Sequence, residues 1–274
     1  MTRRLALSAA LHATLVVAAL ATLLPLLWMV SASFMPAGEA TTFPPRLLPS
    51  APTLEHYRAL FTRLRIGRHF ANSLFLAGTI TVLGSIVNAM AGYALAKLRF
   101  PGRDAIVHAL TAALVVPGQI GMLPLFLLLH AMGLIDTYAA VIVPGIAGIF
   151  GIMLVRQQAL SLPDSVLDAA RVDGAGEFRV FRSIVLWLAA PVLVALAVFT
   201  FLGAWNDFLW PLIVLADDRR YPLPVALAAL AGEHVQDVEL MMAGAVLTIL
   251  PVVVVFVALQ RFYLAGITAG AVKE

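Results

Sequence analysis

Long apolar runs alternate with short polar stretches along the whole chain. Six of them are long enough to cross a bilayer: Leu5 to Phe34, Phe70 to Ala96, Ala105 to Ile135, Thr137 to Val155, Ser183 to Ala216 and Leu240 to Gln260. A spanning helix needs about 20 mostly apolar residues. The fifth run carries one charge, Asp207, and the others carry none. These runs are too long and too uniformly apolar for the ten-residue alternation of a membrane β-barrel. The pattern therefore predicts an all-α membrane protein with six transmembrane helices. Their spans are approximately 5–33, 70–96, 105–131, 137–156, 184–214 and 240–262, within a single domain over 1–274.

Proline and glycine interrupt several runs. Val116-Pro117-Gly118-Gln119 and Pro124 break the third, Pro144 and Gly145-x-x-Gly148-x-x-Gly151 mark the fourth, Pro191 and Pro211 mark the fifth, and Pro251 marks the sixth. Small residues three apart share a helix face and let another backbone approach. The plain reading is packing within the subunit. The functional one is that broken helices line a path, since breaks survive in a membrane only against protein or a water-filled cavity. Between the first two spans, Met35 to Arg68 is rich in proline and predicts an irregular, extended excursion.

Composition agrees with the pattern: 62% of the residues are hydrophobic, 12% are charged, and mean hydropathy is +0.97. A soluble chain of this length needs a far more charged surface. The net charge of +3 is too small to imply nucleic acid, and the absence of Cys excludes disulfides and thiolate metal sites. Lys and Arg favour cytoplasmic loops. The short loop Lys97 to Arg103 is strongly positive, which places both termini in the cytoplasm. Arg46, Arg58, Arg63, Arg65 and Arg68 oppose that orientation and are read as an external surface segment. The first run is much longer than a signal core of about 7–15 residues, so an uncleaved helix is expected. Glu233, His234, Asp237 and Glu239 match no metal-ligand spacing and read as a solvated loop.

One charged island stands between the fourth and fifth runs. Pro163 and Asp164 suit a first helical turn, with Ser161 as a cap. Asp168 and Arg171, three apart, are placed to pair. Ala169 and Ala170 leave a thin surface, and Gly174 stops the helix. Phe178, Phe181, Ile184, Val185 and Leu188 then follow helical spacing into the fifth run. The spacing alone fits a capped surface loop as well as a docking element.

Leu167-Asp168-Ala169-Ala170-Arg171-Val172-Asp173-Gly174 resembles the cytoplasmic loop of ABC importer permeases, whose pattern is Glu-Ala-Ala, three residues, then Gly. Asp168 stands where that pattern has Glu. The runs Val116 to Gln119, Gly133 to Tyr138, Gly151 to Gln157, Trp205 to Leu212 and Leu264 to Lys273 are similar to the carbohydrate branch of the family, related to the maltose permease pair. Trp187 stands where the family often has Pro, which affects the angle at which the fifth span begins. The resemblance implies a type I ABC importer permease in a bacterial cell membrane. It also implies a heteromeric assembly with a second permease, two ATPase subunits and an extracytoplasmic solute-binding protein, carrying a sugar-like solute. The loop 161–183 would then couple to the ATPase through Asp168, Ala169, Ala170, Arg171, Asp173, Gly174 and Glu177. Trp205, Asn206, Asp207, Gln119 and Asn88 are candidates for the translocation path. There is no Gly-x-x-x-x-Gly-Lys-Ser/Thr phosphate loop, so ATP and magnesium would belong to the partner, and no cofactor or catalytic residue is expected. An ion-coupled secondary transporter is the alternative, but Asp207 is the sole buried-span carboxylate available to it. A membrane enzyme would need a catalytic cluster, and none stands out.

Overall fold

A computed structural model describes residues 2–233 and 237–271. His234, Val272 and Lys273 of the expectations above lie outside the described residues. Among those residues the regular structure is helical throughout. The helices are α1 (Thr2–Ala32), α2 (Glu55–Thr62), α3 (Ile66–Lys97), α4 (Arg103–Ala113), α5 (Met122–Ala131), α6 (Tyr138–Gly145), α7 (Ile149–Leu160), α8 (Asp164–Val172), α9 (Glu177–Val180), α10 (Leu186–Leu188), α11 (Ala190–Trp205), α12 (Leu209–Val214), α13 (Leu223–Glu233) and α14 (Val238–Ala271).

Four stretches are unbroken and apolar enough to span: Ala10–Ala32, Ile66–Lys97, Tyr138–Leu160 and Val238–Ala258. Two more arise only as bent pairs. Arg103–Ala113 and Gly118–Ala131 meet at 106°, and Glu177–Leu188 and Ala190–Trp205 at 81°. The first bend falls at Val116-Pro117, where Pro117 holds φ −59° and ψ 128° and a short 3₁₀ turn Gly118–Gly121 follows. Proline withholds an N–H and disfavours helix in the residue before it, so the ladder ends there. The second bend follows a π turn over Phe181–Val185. Trp187 sits on its outer side, 76% exposed. Pro191 then opens α11 in its first turn, where its missing N–H costs nothing.

The chain divides into two compact units. One comprises the chain up to Gly67 with Ala226–Pro251. In it, α1 leaves Leu11, Leu15, Val16 and Leu20 exposed, an apolar surface suited to lipid. The proline-rich excursion is irregular, as its composition predicts, but it is pinned along its length. Trp28 Nε1 donates to the Arg46 carbonyl (3.1 Å) and Ser31 Oγ to that of Leu47 (2.6 Å). The buried carboxylate of Glu39 accepts the Ser50 N–H and the Arg46 guanidinium, both at 3.1 Å. Arg46, which runs against the charge bias, is thus neutralised locally. Glu239 corrects the solvated-loop expectation. It is fully buried, and its Oε1 accepts the Ala40 N–H at 2.7 Å. Asp237 faces the buried His56, 3.7 Å from Nδ1. Tertiary hydrogen bonding, which spacing cannot show, draws Glu239 inward.

The other unit comprises Arg68–Val225 with the chain from Val252 on. Two apolar clusters hold it. One gathers Leu76, Ile80, Leu129, Ala140, Val141, Trp210 and Val214. The second gathers Ala89, Tyr93, Leu162, Leu167, Val180, Phe181 and Val185, and so roots the charged island in the body of the unit. Between them α3 and α7 run in close contact at Gly92, where a Cβ would lie 2.7 Å from Val155 Cβ and 2.8 Å from the Arg156 nitrogen.

Candidate functional site

The island folds as a helix, a tight turn and a second helix. Pro163, not Ser161, precedes α8, and no side chain caps it. Ser161 instead donates back to the Gln158 carbonyl at 2.7 Å and finishes α7. Arg171 and Gly174 close the other end. Gly174 has φ +81°, its N–H bonds the Arg171 carbonyl at 3.0 Å, and the Ala175 N–H bonds the Ala170 carbonyl at 2.9 Å. This is the paired bonding of a Schellman helix end, which needs a left-handed residue and so favours glycine.

Leu167 is buried beneath α8, while Asp168 and Ala169 are exposed and Ala170 is half-buried. Val172 and Phe178 stand out at 87% and 68% exposure. Val172 ends α8 and Phe178 lies in α9, so two apolar side chains stand out beside the charges of the island. Behind that face the loop is braced. Arg171 Nη1 bonds Asp168 Oδ1 at 2.7 Å, and its Nε bonds Glu177 Oε1 at 2.8 Å. The fork ties α8 to the start of α9. Tyr93, on α3, donates its hydroxyl to Glu177 Oε2 at 2.7 Å. Lys97, at the end of α3, reaches Asp164 Oδ1 at 2.6 Å and the Leu162 carbonyl at 2.7 Å. The Lys97 ammonium, by hydrogen bond and then by charge, holds the Asp164 carboxyl below the usual carboxylate range. Two carboxylates and their hydrogen bonds hold the Arg171 guanidinium firmly charged. Asp173 and Gly174 are exposed at the tip.

The path candidates divide. Gln119 and Asp207 share one cavity of about 480 Å³, with Thr200, Gly203, Met122 and Trp210 among its walls. Asp207 lies in the break between α11 and α12, half-buried, and its Oδ1 accepts the Trp210 N–H over 3.4 Å. Trp205 is fully buried, stacked on Phe201 and edge-on to Phe70. Asn206 is exposed and turns its amide back to the Leu202 carbonyl at 2.8 Å. Asn88 is buried, and its oxygen accepts the Gly148 N–H at 3.1 Å, holding the start of α7. Trp205 and Asn88 therefore pack within the unit, away from the shared cavity of Gln119 and Asp207.

Residues 80–268 match the family described as the binding-protein-dependent transport system inner membrane component. The chain belongs to this family. It is a multi-pass membrane permease, a transport subunit with no catalysis of its own. The arabinooligosaccharides transport system permease protein of Halalkalibacterium halodurans is 39% identical over 252 residues, 91% of this chain and 90% of that protein. The diacetylchitobiose uptake system permease protein of Streptomyces coelicolor is 33% identical over 96% of this chain and 88% of its own length. The crystal structure of a bacterial ABC transporter involved in the import of the acidic polysaccharide alginate superposes with a TM-score of 0.83. It covers 94% of the permease and 96% of that chain at 24% identity. The permease therefore has the type I ABC importer fold.

Several residues that shape the permease carry no signal in the sequence. Tyr93 and Lys97 sit 84 and 67 residues before their carboxylate partners. Nothing in a helix end such as Ala94-Leu95-Ala96-Lys97 announces a brace. Asp136 lies in the Gly133–Tyr138 turn, at φ +60°. Its Oδ1 accepts the Ala216 and Asp217 N–H groups at 2.9 and 3.0 Å, and Arg220 bonds the same carboxylate. Those N–H groups, with Arg220, keep its carboxyl below the usual range. A polar residue in a left-handed turn is the one available signal, since Asp is tolerated there.

Proposed function

We propose that the chain is one permease of a heteromeric sugar importer and that it transmits the work of a separate ATPase through residues 161–183. The observation that carries this reading is the braced loop. Asp168, Ala169, Val172 and Phe178 are presented outward, while Leu167, Tyr93 and Lys97 hold the loop to the rest of its unit. An element stiff on its inner side and exposed on its outer side transmits displacement instead of absorbing it. Arg171 and Glu177 set the angle between α8 and α9, and Asp173 and Gly174 form the tip.

In this reading each bent pair is one span, which makes six, with both termini on the cytoplasmic side. A second permease completes the path, two ATPase subunits supply ATP and magnesium chemistry, and an extracytoplasmic protein delivers the solute. The relatives' names, arabinooligosaccharides and diacetylchitobiose among them, support a saccharide as that solute. Gln119 and Asp207 face it along the path.

The test is co-purification of the tagged chain from its native membrane in mild detergent, beside a Gly174→Pro variant. Proline removes the Gly174 N–H and forbids its positive φ. The expected outcome is a second permease retained by both, with the ATPase lost only from the variant. A variant that retains its ATPase sinks the coupling role of the loop.

A further inference from the structure

The cavity shared by Gln119 and Asp207 has a definite electrostatic character. Its polar lining includes an amide, the Thr200 hydroxyl and one carboxylate, and the largely buried Trp210 borders it. Among the described residues that line it, none is cationic. The hydrogen bond from Trp210 N–H to Asp207 is long at 3.4 Å, so it does little to offset the charge. A carboxylate at the wall of a water-filled cleft whose other walls are largely apolar focuses its field into that cleft. Its volume of about 480 Å³ is large enough for a sugar unit.

We infer that Asp207 is a charge filter, which admits uncharged saccharides to the path and repels acidic ones such as uronates. The inference rests on the reading of residues 119 and 207 as part of the path, and it adds a substrate class. Hydroxyl groups of a neutral sugar donate to the carboxylate, and the Gln119 amide pairs with the same solute by donating or accepting. A solute carboxylate at that point meets like charge with no neighbouring cation to compensate it, which is the repulsive element that specificity requires.

The chain has no cysteine, so a single introduced thiol reports on the cavity without background. Thr200→Cys is placed in the tagged chain in native membranes. It is labelled with a cationic or an anionic methanethiosulfonate of similar size, with and without ATP and vanadate. The mass shift of the purified chain gives each rate. The expected result is a cation-to-anion rate ratio that falls about tenfold or more when Asp207→Asn is added and is kept by Asp207→Glu. Gln119→Cys serves as a second reporter where Thr200→Cys does not accumulate. A ratio unchanged by Asp207→Asn overturns the filter. Failure of both thiols to react in either state overturns the water-filled cavity on which it depends. The rates measured without ATP and vanadate are read on this chain alone. A failed ATPase co-purification leaves them standing, and an unchanged ratio leaves the importer reading standing.

Discussion

A methyl group added at Gly92 meets the Val155 Cβ at 2.7 Å, the Arg156 nitrogen at 2.8 Å and the Ile152 carbonyl oxygen at 2.8 Å. Backbone atoms cannot turn aside as a side-chain end does, so α3 and α7 must separate. Gly92→Ala is expected to cost about 1–3 kcal/mol, as overpacking does, and to lower the melting temperature of the detergent-solubilised chain. An unchanged melting temperature would show that the helices yield freely. Arg171 poses a different case. Its partners Asp168 and Glu177 are exposed, so the pairs contribute under about 1 kcal/mol to folding. Arg171→Ala should therefore leave the melting temperature nearly unchanged while reducing the ATPase that co-purifies, because α8 loses its tie to α9. A fall in both together would make Arg171 a folding residue only. The Asp168–Arg171 pair was readable from spacing of three. The Glu177 half of the fork was not, because it crosses a turn whose geometry Gly174 sets.

At the scale of elements, two acidic residues pin turns to distant segments. Asp164 joins the start of α8 to the end of α3, and Asp136 joins the turn before α6 to the segment after α12. Both carboxyls have folded-state pKa values below the ordinary range. A depressed carboxyl stabilises the fold above its unfolded value, about 3.9 for Asp, and loses that contribution as pH falls through the folded value. Thermal stability attributable to these pairs should therefore be flat from pH 7 to about pH 5 and decline below about pH 4. Asp136→Asn should lower the melting temperature at pH 7 and flatten that acid decline, and an identical decline in wild type and variant would remove Asp136 as its cause. The bends belong to this scale too. Pro117 made the break in the third run legible. The 81° bend at Ala189 was signalled only by Trp187 at an unusual position and by Pro191. The π turn that prepares it depends on how Phe181 and Val185 pack in their cluster, and that packing has no linear signature.

For the whole molecule, the exposed apolar residues of α1 and of α14, and Phe199 of α11, are suited to lipid or further subunits. The chain should stay in the pellet when membranes are washed with carbonate at high pH and leave it only with detergent, as assayed by immunoblot. Release by carbonate alone would contradict a multi-pass protein. The sequence by itself determined the helical class, the membrane setting and the family. The reason is that the cost of burying backbone in lipid must be met within each segment, residue by residue, and so is written in local runs. It also marked the island, because a proline-led helix start, two alanines and a glycine stop are local chemistry. The tertiary structure decided which polar side chains do what. Glu239 went inside, Asn88 and Trp205 turned to packing, and Tyr93 and Lys97 became the braces of the loop. Gln119 and Asp207 came to share one cavity although 88 residues separate them. Each of these outcomes depends on partners far along the chain, and a pairing between distant segments has no period for a linear pattern to reveal.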